Sequence, residues 1–511
     1  MFSTISSMAL WGIHSRPVQV EVDASTGLPC FDMVGMAGSE VKEARERVRV
    51  ALRNVGCSIP PLRVTVNLSP ADVRKEGTAF DVPIAVGILQ ALGHFGEDAT
   101  AGFIFLGELG LNGEIKAIPG VLPQVKRAKE DGHRGVVVPM ENAEEAALVE
   151  GIDIYPVSHL VELMGFLTGD LELPPYESMP EEACRGEEEH PEPDFSEVAG
   201  QETAKYAAQI AAAGFHHLLM VGAPGGGKTM IARRMPTIMP PLTREEMLEV
   251  TAVYSVAGKI GNLEKLMEHR PFCSPHHTIT PQALVGGGAR PKPGYVSLSH
   301  KGVLFLDELA EFQRTTLDVM RQPLEQHVAE IVRTSGQVSY PADFLLVAAT
   351  NLCPCGFYPD MNRCTCTPSE IHRYKARLSG PLLNRIDLVT QVDPIDPGLL
   401  IRPGGVRKQG LSSSQMRENV MAARQRQLYR FRGEDISFNA QMDNKELDRF
   451  CKLGSGEQKL MERAYEKLAL TARSYHRLLK VTRTIADLED AEEIREEHIQ
   501  RALLYRMSDQ L

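Results

Sequence analysis

The sequence predicts an α/β protein with a parallel sheet, and two hydrophobic patterns indicate it. Short, continuous apolar runs occupy residues 218–222, 303–306 and 344–349. Runs of this kind are typical of parallel strands that helices cover on both faces. Residues 18–22 and 64–68 instead alternate between apolar and polar side chains, which is the pattern of a half-buried strand.

Composition divides the chain into four segments. Residues 1–172 and 195–395 each show the mixed strand and helix patterns of an α/β unit. Between them, in segment 173–194, residues 181–194 contain seven acidic residues, one basic residue and two prolines. This composition is typical of a solvated linker, and a plain spacer is favoured over an acidic interaction tail. Residues 396–511 show the apolar spacing of helices.

The composition also limits the class of protein. A chain of 511 residues is long enough for about three domains. Its 55 basic and 67 acidic residues give a net charge of −12, so any nucleic-acid surface must be a local patch. Nine cysteines are too few for a disulfide scaffold. Since neither a signal peptide nor a membrane span is indicated, we expect a cytoplasmic protein.

The clearest motif is a phosphate-binding loop. Residues 222–229 read GAPGGGKT and follow an apolar strand, as the pattern G-x-x-x-x-G-K-[ST] requires. The backbone N–H groups of such a loop and the N-terminus of the next helix bind phosphate oxygens. Lys228 would reach the β- and γ-phosphates, and the Thr229 hydroxyl would bind Mg²⁺. We therefore expect ATP to contact Gly222, Ala223, Pro224, Gly225, Gly226, Gly227, Lys228 and Thr229.

Acidic and amide side chains follow the next two apolar runs. Asp307 and Glu308 come directly after residues 303–306, and Asn351 follows the third run. The carboxyl ends of neighbouring parallel strands lie beside the phosphate-binding loop in such sheets. We expect Asp307 to hold Mg²⁺, Glu308 to act as the base for an attacking water, and Asn351 to orient that water.

These motifs and several longer strings resemble those of AAA+ ATPases, and within them the Mg-chelatase-like ComM/YifB family. The matching strings are KEGTAFDVPIA at 75–85, GVLFLDELAEF at 302–312, ATNLCPCG at 349–356, SGPLLNRIDL at 379–388 and SYHRLLKVTRTIADL at 474–488. The resemblance implies a ribosomal-S5/Lon-protease-like domain over residues 1–172. It further implies an AAA+ P-loop αβα core over 195–395 and a helical lid of the Mg-chelatase C-terminal type over 396–511.

The resemblance assigns two more arginines. Arg385, in SGPLLNRIDL, matches the arginine finger that reaches the nucleotide of a neighbouring subunit. Arg473, just before SYHRLL, matches the sensor-2 arginine of the lid. Each would neutralise charge that develops on the transferred phosphoryl group. The family forms hexameric rings, so a homo-oligomer is implied.

A cysteine cluster follows Asn351. Its spacing is C-x-C-x₈-C-x-C, and four thiolates so close in sequence can form a closed, tetrahedral Zn²⁺ site. Such a site would be structural, because no coordination position stays open. Unligated thiols, an iron–sulfur cluster and a redox switch are the alternatives. The four residues are Cys353, Cys355, Cys364 and Cys366.

Two basic loops are candidates for contact with DNA. The Gly/Pro-rich insertion 286–302 contains Arg290, Lys292 and Lys301, and residues 328–340 predict a hairpin that carries Arg333. The resemblance places both on the pore-facing side of a ring, where family loops grip DNA. We expect phosphate contacts from Arg290, Lys292 and Arg333, although exposed loops commonly carry such bases without binding anything.

Two other features carry no expected chemistry. His276 and His277 are adjacent, but we expect them to pack in a helix or a loop and not to bind a metal. In the Lon-like domain Ala79 occupies the place of the nucleophilic serine, and Leu122 that of the lysine, so proteolysis is not expected. This domain is instead expected to bind DNA or a partner.

The function that the resemblance implies is a ring-forming ATPase that remodels DNA. Branch migration or helicase activity in homologous recombination and natural transformation is the activity of the ComM branch. A chaperone-like remodeller of proteins and a magnesium-chelatase-type motor subunit are the alternatives. Salt-sensitive DNA binding would distinguish the first function from the other two.

Overall fold

The structure is a computed structural model of the chain. It describes residues 1–35, 38–72, 75–177, 193–260, 266–288, 291–333, 336–378, 380–394 and 410–506. Three features predicted from the sequence lie outside these residues: most of the acidic segment, the boundary at 395/396, and Arg290.

The N-terminal part contains a twisted sheet with order β1-β2-β4-β3 and a smaller parallel sheet with order β5-β8-β9. The strands are β1 (Phe2–Trp11), β2 (His14–Ser25), β3 (Cys30–Val34), β4 (Arg63–Ser69), β5 (Phe103–Phe105), β6 (Glu108–Leu109), β7 (Ile115–Lys116), β8 (Gly135–Pro139) and β9 (Asp153–Val157). The helices are α1 (Ser39–Asn54), α2 (Asp81–Ala91), α3 (Val121–Glu130), α4 (Ala143–Ala147) and α5 (Leu160–Thr168).

The alternating patterns in this part form the predicted strands. Val18, Val20 and Val22 on β2 are fully buried, and so are the apolar residues that alternate along β4. Their buried faces pack against α1 and α2 in one hydrophobic core. The strands β6 and β7 form the predicted hairpin, with Gly113 at φ +93° in its turn.

The central part is built on a five-stranded sheet. Its strands and those of two small hairpins are β10 (Leu218–Val221), β11 (Phe272–Cys273), β12 (Gly286–Gly287), β13 (Lys292–Pro293), β14 (Val303–Leu306), β15 (Val328–Arg333), β16 (Gly336–Pro341), β17 (Leu345–Thr350) and β18 (Leu388–Gln391). The helices are α6 (Glu202–Gly214), α7 (Lys228–Ile238), α8 (Arg244–Ala257), α9 (Pro281–Val285), α10 (Tyr295–Leu298), α11 (Arg314–Asp318), α12 (Arg321–Gln326), α13 (Pro368–Lys375) and α14 (Gly380–Leu383).

This sheet confirms the predicted parallel arrangement. Its order is β11-β14-β17-β10-β18, and every neighbouring pair is parallel. Leu218 and Met220 of β10 belong to one hydrophobic core, while Leu219 and Val221 belong to another. Both faces of the strand are therefore covered, which is why its sequence is continuously apolar.

Helices make up the C-terminal part: α15 (Ser413–Arg430), α16 (Asn444–Phe450), α17 (Ser455–Lys467), α18 (Ala472–Leu488) and α19 (Glu496–Leu504). They share a hydrophobic core with one face of the five-stranded sheet. Fully buried Asp487 on α18 pairs with Arg430 and Arg483, which satisfies the buried charges. No helix within the described part of the chain is both long and apolar enough to span a membrane.

The N-terminal part contacts the central part through α3 and α8. The Ser255 hydroxyl on α8 hydrogen-bonds the buried carboxyl of Glu145, and the Gly120 N–H donates to the Ser255 carbonyl at 3.2 Å. Arg244 at the start of α8 pairs with Glu150 at 2.8 Å. Burial raises the pKa of the Glu145 carboxyl, while hydrogen bonds from Ser255 and the backbone of Leu122 oppose that rise.

Candidate functional site

The candidate site lies where β10, β14 and β17 end. Val221 of β10 pairs with Thr350 of β17, and Leu306 of β14 pairs with Ala348. In a parallel sheet these carboxyl ends share one edge. The residues that follow the three strands, which are the phosphate-binding loop, Asp307 and Asn351, therefore meet there.

The phosphate-binding loop has no room for a side chain at its first glycine. A Cβ at Gly222 would lie 2.0 Å from the carbonyl oxygen of Val392, and a Cβ at Gly226 would lie 3.1 Å from the Val392 side chain. Gly225 and Gly227 have positive φ values of 78° and 93°, which glycine adopts without strain. After Gly227 the chain enters α7, whose first residue is Lys228.

Lys228 turns back onto its own loop. Its ammonium donates to the carbonyls of Gly222 at 2.6 Å and Ala223 at 2.9 Å, and to the amide oxygen of Asn351 at 3.2 Å. Burial lowers the pKa of Lys228, while the charges of Asp307 and Glu308 oppose that effect. The two motifs, 123 residues apart, thus meet at one ammonium group.

A carboxylate and a hydroxyl meet on the other side of the loop. The Thr229 hydroxyl donates to Asp307 Oδ2 at 2.9 Å, while Asp307 Oδ1 accepts the N–H of Glu308 at 2.9 Å. Glu308 has left-handed backbone dihedrals, with φ 52° and ψ 48°. This conformation is costly for a glutamate, whose side chain is 56% exposed.

His277 lies beside Glu308, and the sequence did not predict this contact. Its Nδ1 is 3.4 Å from Glu308 Oε2, and its ring packs against His276 and the edge of Phe312. The expectation that these histidines pack is met by the contact between their two rings. His277 follows β11, the strand next to β14 in the sheet, so only the sheet order could reveal this contact.

Gln201 is a second residue that sequence reasoning missed. Its side-chain amide donates to the carbonyls of Gly226 at 3.2 Å and Asp393 at 2.6 Å. It therefore joins the phosphate-binding loop to the segment that follows β18. Gln201 has a positive φ of 62° just before α6, and no motif marks it in the sequence.

The two arginines assigned by resemblance lie together. Arg385 and Arg473 both contact Oε1 of Glu325 on α12, and the Arg473 contact measures 3.5 Å. Arg385 also donates to the Pro381 carbonyl at 2.5 Å, while its buried Nε has no hydrogen-bond partner among the residues that the structure describes. The structure thus groups these two arginines around the carboxylate of Glu325. Lys228 of the phosphate-binding loop instead contacts Asn351.

The four cysteine sulfurs converge. Each lies within 4.8 Å of the others, and Cys353 Sγ is 3.3 Å from Cys355 and 3.8 Å from Cys364. A tetrahedral Zn²⁺ site with Zn–S bonds of about 2.3 Å requires sulfurs about 3.8 Å apart, so the cluster fits Zn²⁺. The backbone N–H of Phe357 lowers the pKa of Cys355 to about 6, which favours the thiolate.

The cysteine segment also contacts the phosphate-binding loop. A Cβ at Gly356, between the cysteine pairs, would lie 2.6 Å from the ring of Pro224. Gly356 has a positive φ of 83°. A segment held by four sulfurs therefore packs directly on the loop beside Asn351.

The structure brings the two basic loops together. Lys292 is exposed and pairs in the β12–β13 ladder with Gly287. The Arg333 guanidinium on β15 approaches within 3.2 Å of where a Cβ of Gly287 would stand. Lys301 is different, since it pairs with Asp343 at 2.9 Å. Among the described bases, Lys292 and Arg333 are thus exposed and side by side.

The positions that replace a Lon-type serine and lysine lie in apolar surroundings. Ala79 packs against the hydrophobic core that includes Val121 and Val125. Leu122 is buried on α3. These contacts explain why apolar residues suit both positions.

Gly222 provides a test of the loop geometry. Gly222→Ala would place a methyl group against the Val392 carbonyl, so we expect the loop to shift and ATP affinity to fall at least tenfold. Gly96→Ala is the matched control, because a Cβ there meets nothing within 4 Å. Isothermal titration with an ATP analogue measures both, and equal affinities would contradict the close packing.

Comparison with known families covers nearly the whole chain. The model described as "Magnesium chelatase, subunit ChlI" matches residues 194–399. "Subunit ChlI of Mg-chelatase" matches residues 20–142, and "Magnesium chelatase, subunit ChlI C-terminal" matches residues 410–506.

Two bacterial relatives are similar over nearly their full length, and a third is similar over about a third of it. "Uncharacterized protein YifB" of Escherichia coli K12 is 41% identical over 511 residues, which are 100% of this chain and 98% of the relative. "Competence protein ComM" of Haemophilus influenzae is 41% identical over 98% of this chain and 97% of its own. Lon protease 2 of Bacillus subtilis is 29% identical over 34% of each chain. The chain therefore belongs to the ComM/YifB family of Mg-chelatase-like AAA+ ATPases.

Proposed function

We propose that the protein is a ring-forming ATPase that couples ATP hydrolysis to DNA remodelling. One observation carries the proposal: the strands that carry the ATP site also hold two basic hairpins side by side. The hairpin β15–β16 lies in the chain between β14, which is followed by Asp307, and β17, which is followed by Asn351. A movement of either strand at the site would therefore pass along the chain to this hairpin, which carries Arg333. Branch migration or helicase activity in recombination and natural transformation is the specific form. The word "competence" in the name of the Haemophilus relative supports the part in natural transformation.

At the ATP site, each side chain has one task. The loop 222–227 and Lys228 would bind the phosphates, and Glu308 would take the proton of the attacking water. Asn351 would orient that water. Thr229 and Asp307, whose oxygens lie 2.9 Å apart, offer the hard oxygen ligands that Mg²⁺ prefers. Bound Mg²⁺ would neutralise charge on the phosphate oxygens.

Arg385 would act as an arginine finger on the ATP of a neighbouring subunit, and Arg473 would act as the sensor-2 arginine of the lid. Their position around Glu325, with a buried Nε of Arg385 that has no hydrogen-bond partner among the described residues, supports a joint anion-binding role. A phosphate would replace the carboxylate as their counter-charge. Such an arrangement requires a closed ring, for which we propose a hexamer.

Three further elements complete the proposal. The domains would divide at residues 172, 194 and 395, with residues 173–194 as the linker. The cysteine cluster would hold a structural Zn²⁺ that braces the phosphate-binding loop. Lys292 and Arg333, together with Arg290, would contact DNA phosphates in the pore of a cytoplasmic ring.

A magnesium-chelatase-type motor subunit is the second candidate function, because the matching family models carry that description. A remodeller of proteins is the third candidate function.

Steady-state ATPase rates with and without DNA test the function. We expect single-stranded and four-way-junction DNA to stimulate the wild-type rate, and added salt to reduce that stimulation, because counterions compete for the bases. Lys228→Ala should abolish ATPase activity, and Glu308→Gln should bind ATP without hydrolysing it. Hydrolysis by Glu308→Gln would show that the base is another group. Indifference to every DNA would favour a chelatase-type or protein-remodelling partner.

Mixing two inactive variants tests action between subunits. Arg385→Ala should lower kcat by about a thousandfold, as the loss of an arginine finger does. A mixture with Lys228→Ala should regain activity, since some interfaces then combine an intact loop with an intact arginine. Arg377→Ala, which removes an exposed arginine paired with Glu311, is the control and should keep the wild-type rate. A mixture with no more than the average activity of its components would exclude this arrangement.

Metal analysis tests the cysteine cluster. We expect about one zinc per chain in protein purified without chelator, and near zero in the double variant Cys355→Ser/Cys366→Ser. The double variant should also bind ATP more weakly, because the segment packs on Pro224. Cys30→Ser is the control, since Cys30 lies in the N-terminal part. Wild-type protein without zinc, but with four reactive thiols at these positions, would establish them as unligated.

A further inference from the structure

The turn between β1 and β2 touches the hairpin β15–β16, although more than 300 residues separate them. The indole N–H of Trp11 donates to the carbonyl of Gln337 at 3.1 Å. Trp11 and Ile13 pack against a small hydrophobic core made of Ile331, Val338 and Tyr340. The N-terminal part thus contacts the basic hairpin itself.

Two glycines make this contact close, one from each side. A Cβ at Gly336 of the hairpin would lie 2.8 Å from the Trp11 ring. A Cβ at Gly12 of the turn would lie 2.7 Å from the Val338 side chain and 3.0 Å from the Ser339 carbonyl. Both glycines have positive φ values, 65° for Gly12 and 132° for Gly336. The contact is therefore built into the backbones of both elements.

The contact adds a third cation, Arg16, to the part of the molecule that carries Arg333 and Lys292. The Arg16 guanidinium lies over the Trp11 ring, 5.2 Å from its centroid, and Trp11 abuts Gly336, which pairs with Arg333 in the ladder. Arg16, Arg333 and Lys292 are all exposed, and among the described residues none forms an ion pair. Val332, beside Arg333, is 71% exposed.

The protein has a net charge of −12, yet these elements carry three exposed cations that have no ion-pair partner among the described residues. Unpaired bases on a surface that also exposes apolar groups fit the phosphate backbone of a nucleic-acid strand. An acidic protein surface would pair less regularly with these three cations, because its carboxylates are not evenly spaced as the phosphates of a nucleic-acid strand are.

We infer that the β1–β2 turn forms part of the DNA-binding surface, with Arg16 as a phosphate contact from the N-terminal domain. Trp11 is a positioning residue, because its contacts with the hairpin hold the turn in place and so keep Arg16 near Arg333. This inference rests on the proposed DNA-dependent function and names the surface that the N-terminal domain adds to it.

Full-length protein with Mg²⁺ and a non-hydrolysable ATP analogue is titrated into labelled single-stranded DNA at several salt concentrations. Arg16→Ala should weaken binding and reduce the salt slope of log K by about 0.7, because one cation fewer then neutralises a phosphate of the single strand. Arg53→Ala removes an exposed arginine of α1, which packs near β3 at the opposite edge of the sheet, and should match wild type. Both variants should keep the DNA-independent ATPase rate.

Two further measurements follow the contact itself. Trp11 is the sole tryptophan, so its emission should change when unlabelled DNA saturates the wild-type protein. Gly12→Ala should displace the turn and weaken DNA binding while Arg16 and the DNA-independent ATPase rate remain.

The outcomes separate this inference from the proposed function. If wild-type protein binds DNA with a steep salt dependence, but Arg16→Ala behaves like Arg53→Ala and Trp11 emission stays constant, the inference is overturned and the function stands. If the wild-type protein binds no DNA at low salt, both are overturned.

Discussion

The parallel hydrogen bonding of β17 to β10 on one side and β14 on the other is the constraint on which the site depends. The pairs Val221 with Thr350 and Leu306 with Ala348 set the phosphate-binding loop, Asn351 and Asp307 at one level. Because side chains alternate along a strand, a slip of one residue would exchange the two buried faces. Two separate hydrophobic cores oppose such a slip, since each takes alternate residues of the same strands.

Contacts outside the strands then fix the loop that the register has placed. The Val392 carbonyl limits the loop at Gly222, Gln201 ties it to the chain after β18, and the cysteine segment packs on Pro224. The ligand-binding backbone is thus supported from several directions before any phosphate arrives. Such preorganisation reduces the ordering that binding would otherwise require.

The same strands connect the site to the surface that we assign to DNA. The hairpin β15–β16 lies in the chain between β14 and β17. It contacts both the insertion 286–302 and the turn between β1 and β2. A shift of β17 relative to β14 would therefore move Arg333. The close contacts at Gly12 and Gly336 would transmit that shift to Arg16. If the proposed function holds, the N-terminal part would therefore belong to the surface that moves with Arg333.

The sequence alone determined the features that depend on local pattern. Continuous apolar runs predicted the buried parallel strands, the glycine spacing predicted the loop before Lys228, and the C-x-C pairs predicted the converging sulfurs. The tertiary structure alone decided how distant residues meet. His277 beside Glu308, Glu325 between Arg385 and Arg473, and Trp11 against Gly336 each join separate parts of the chain. Local periodicity carries no record of such pairs, because sheet order and packing between elements set them.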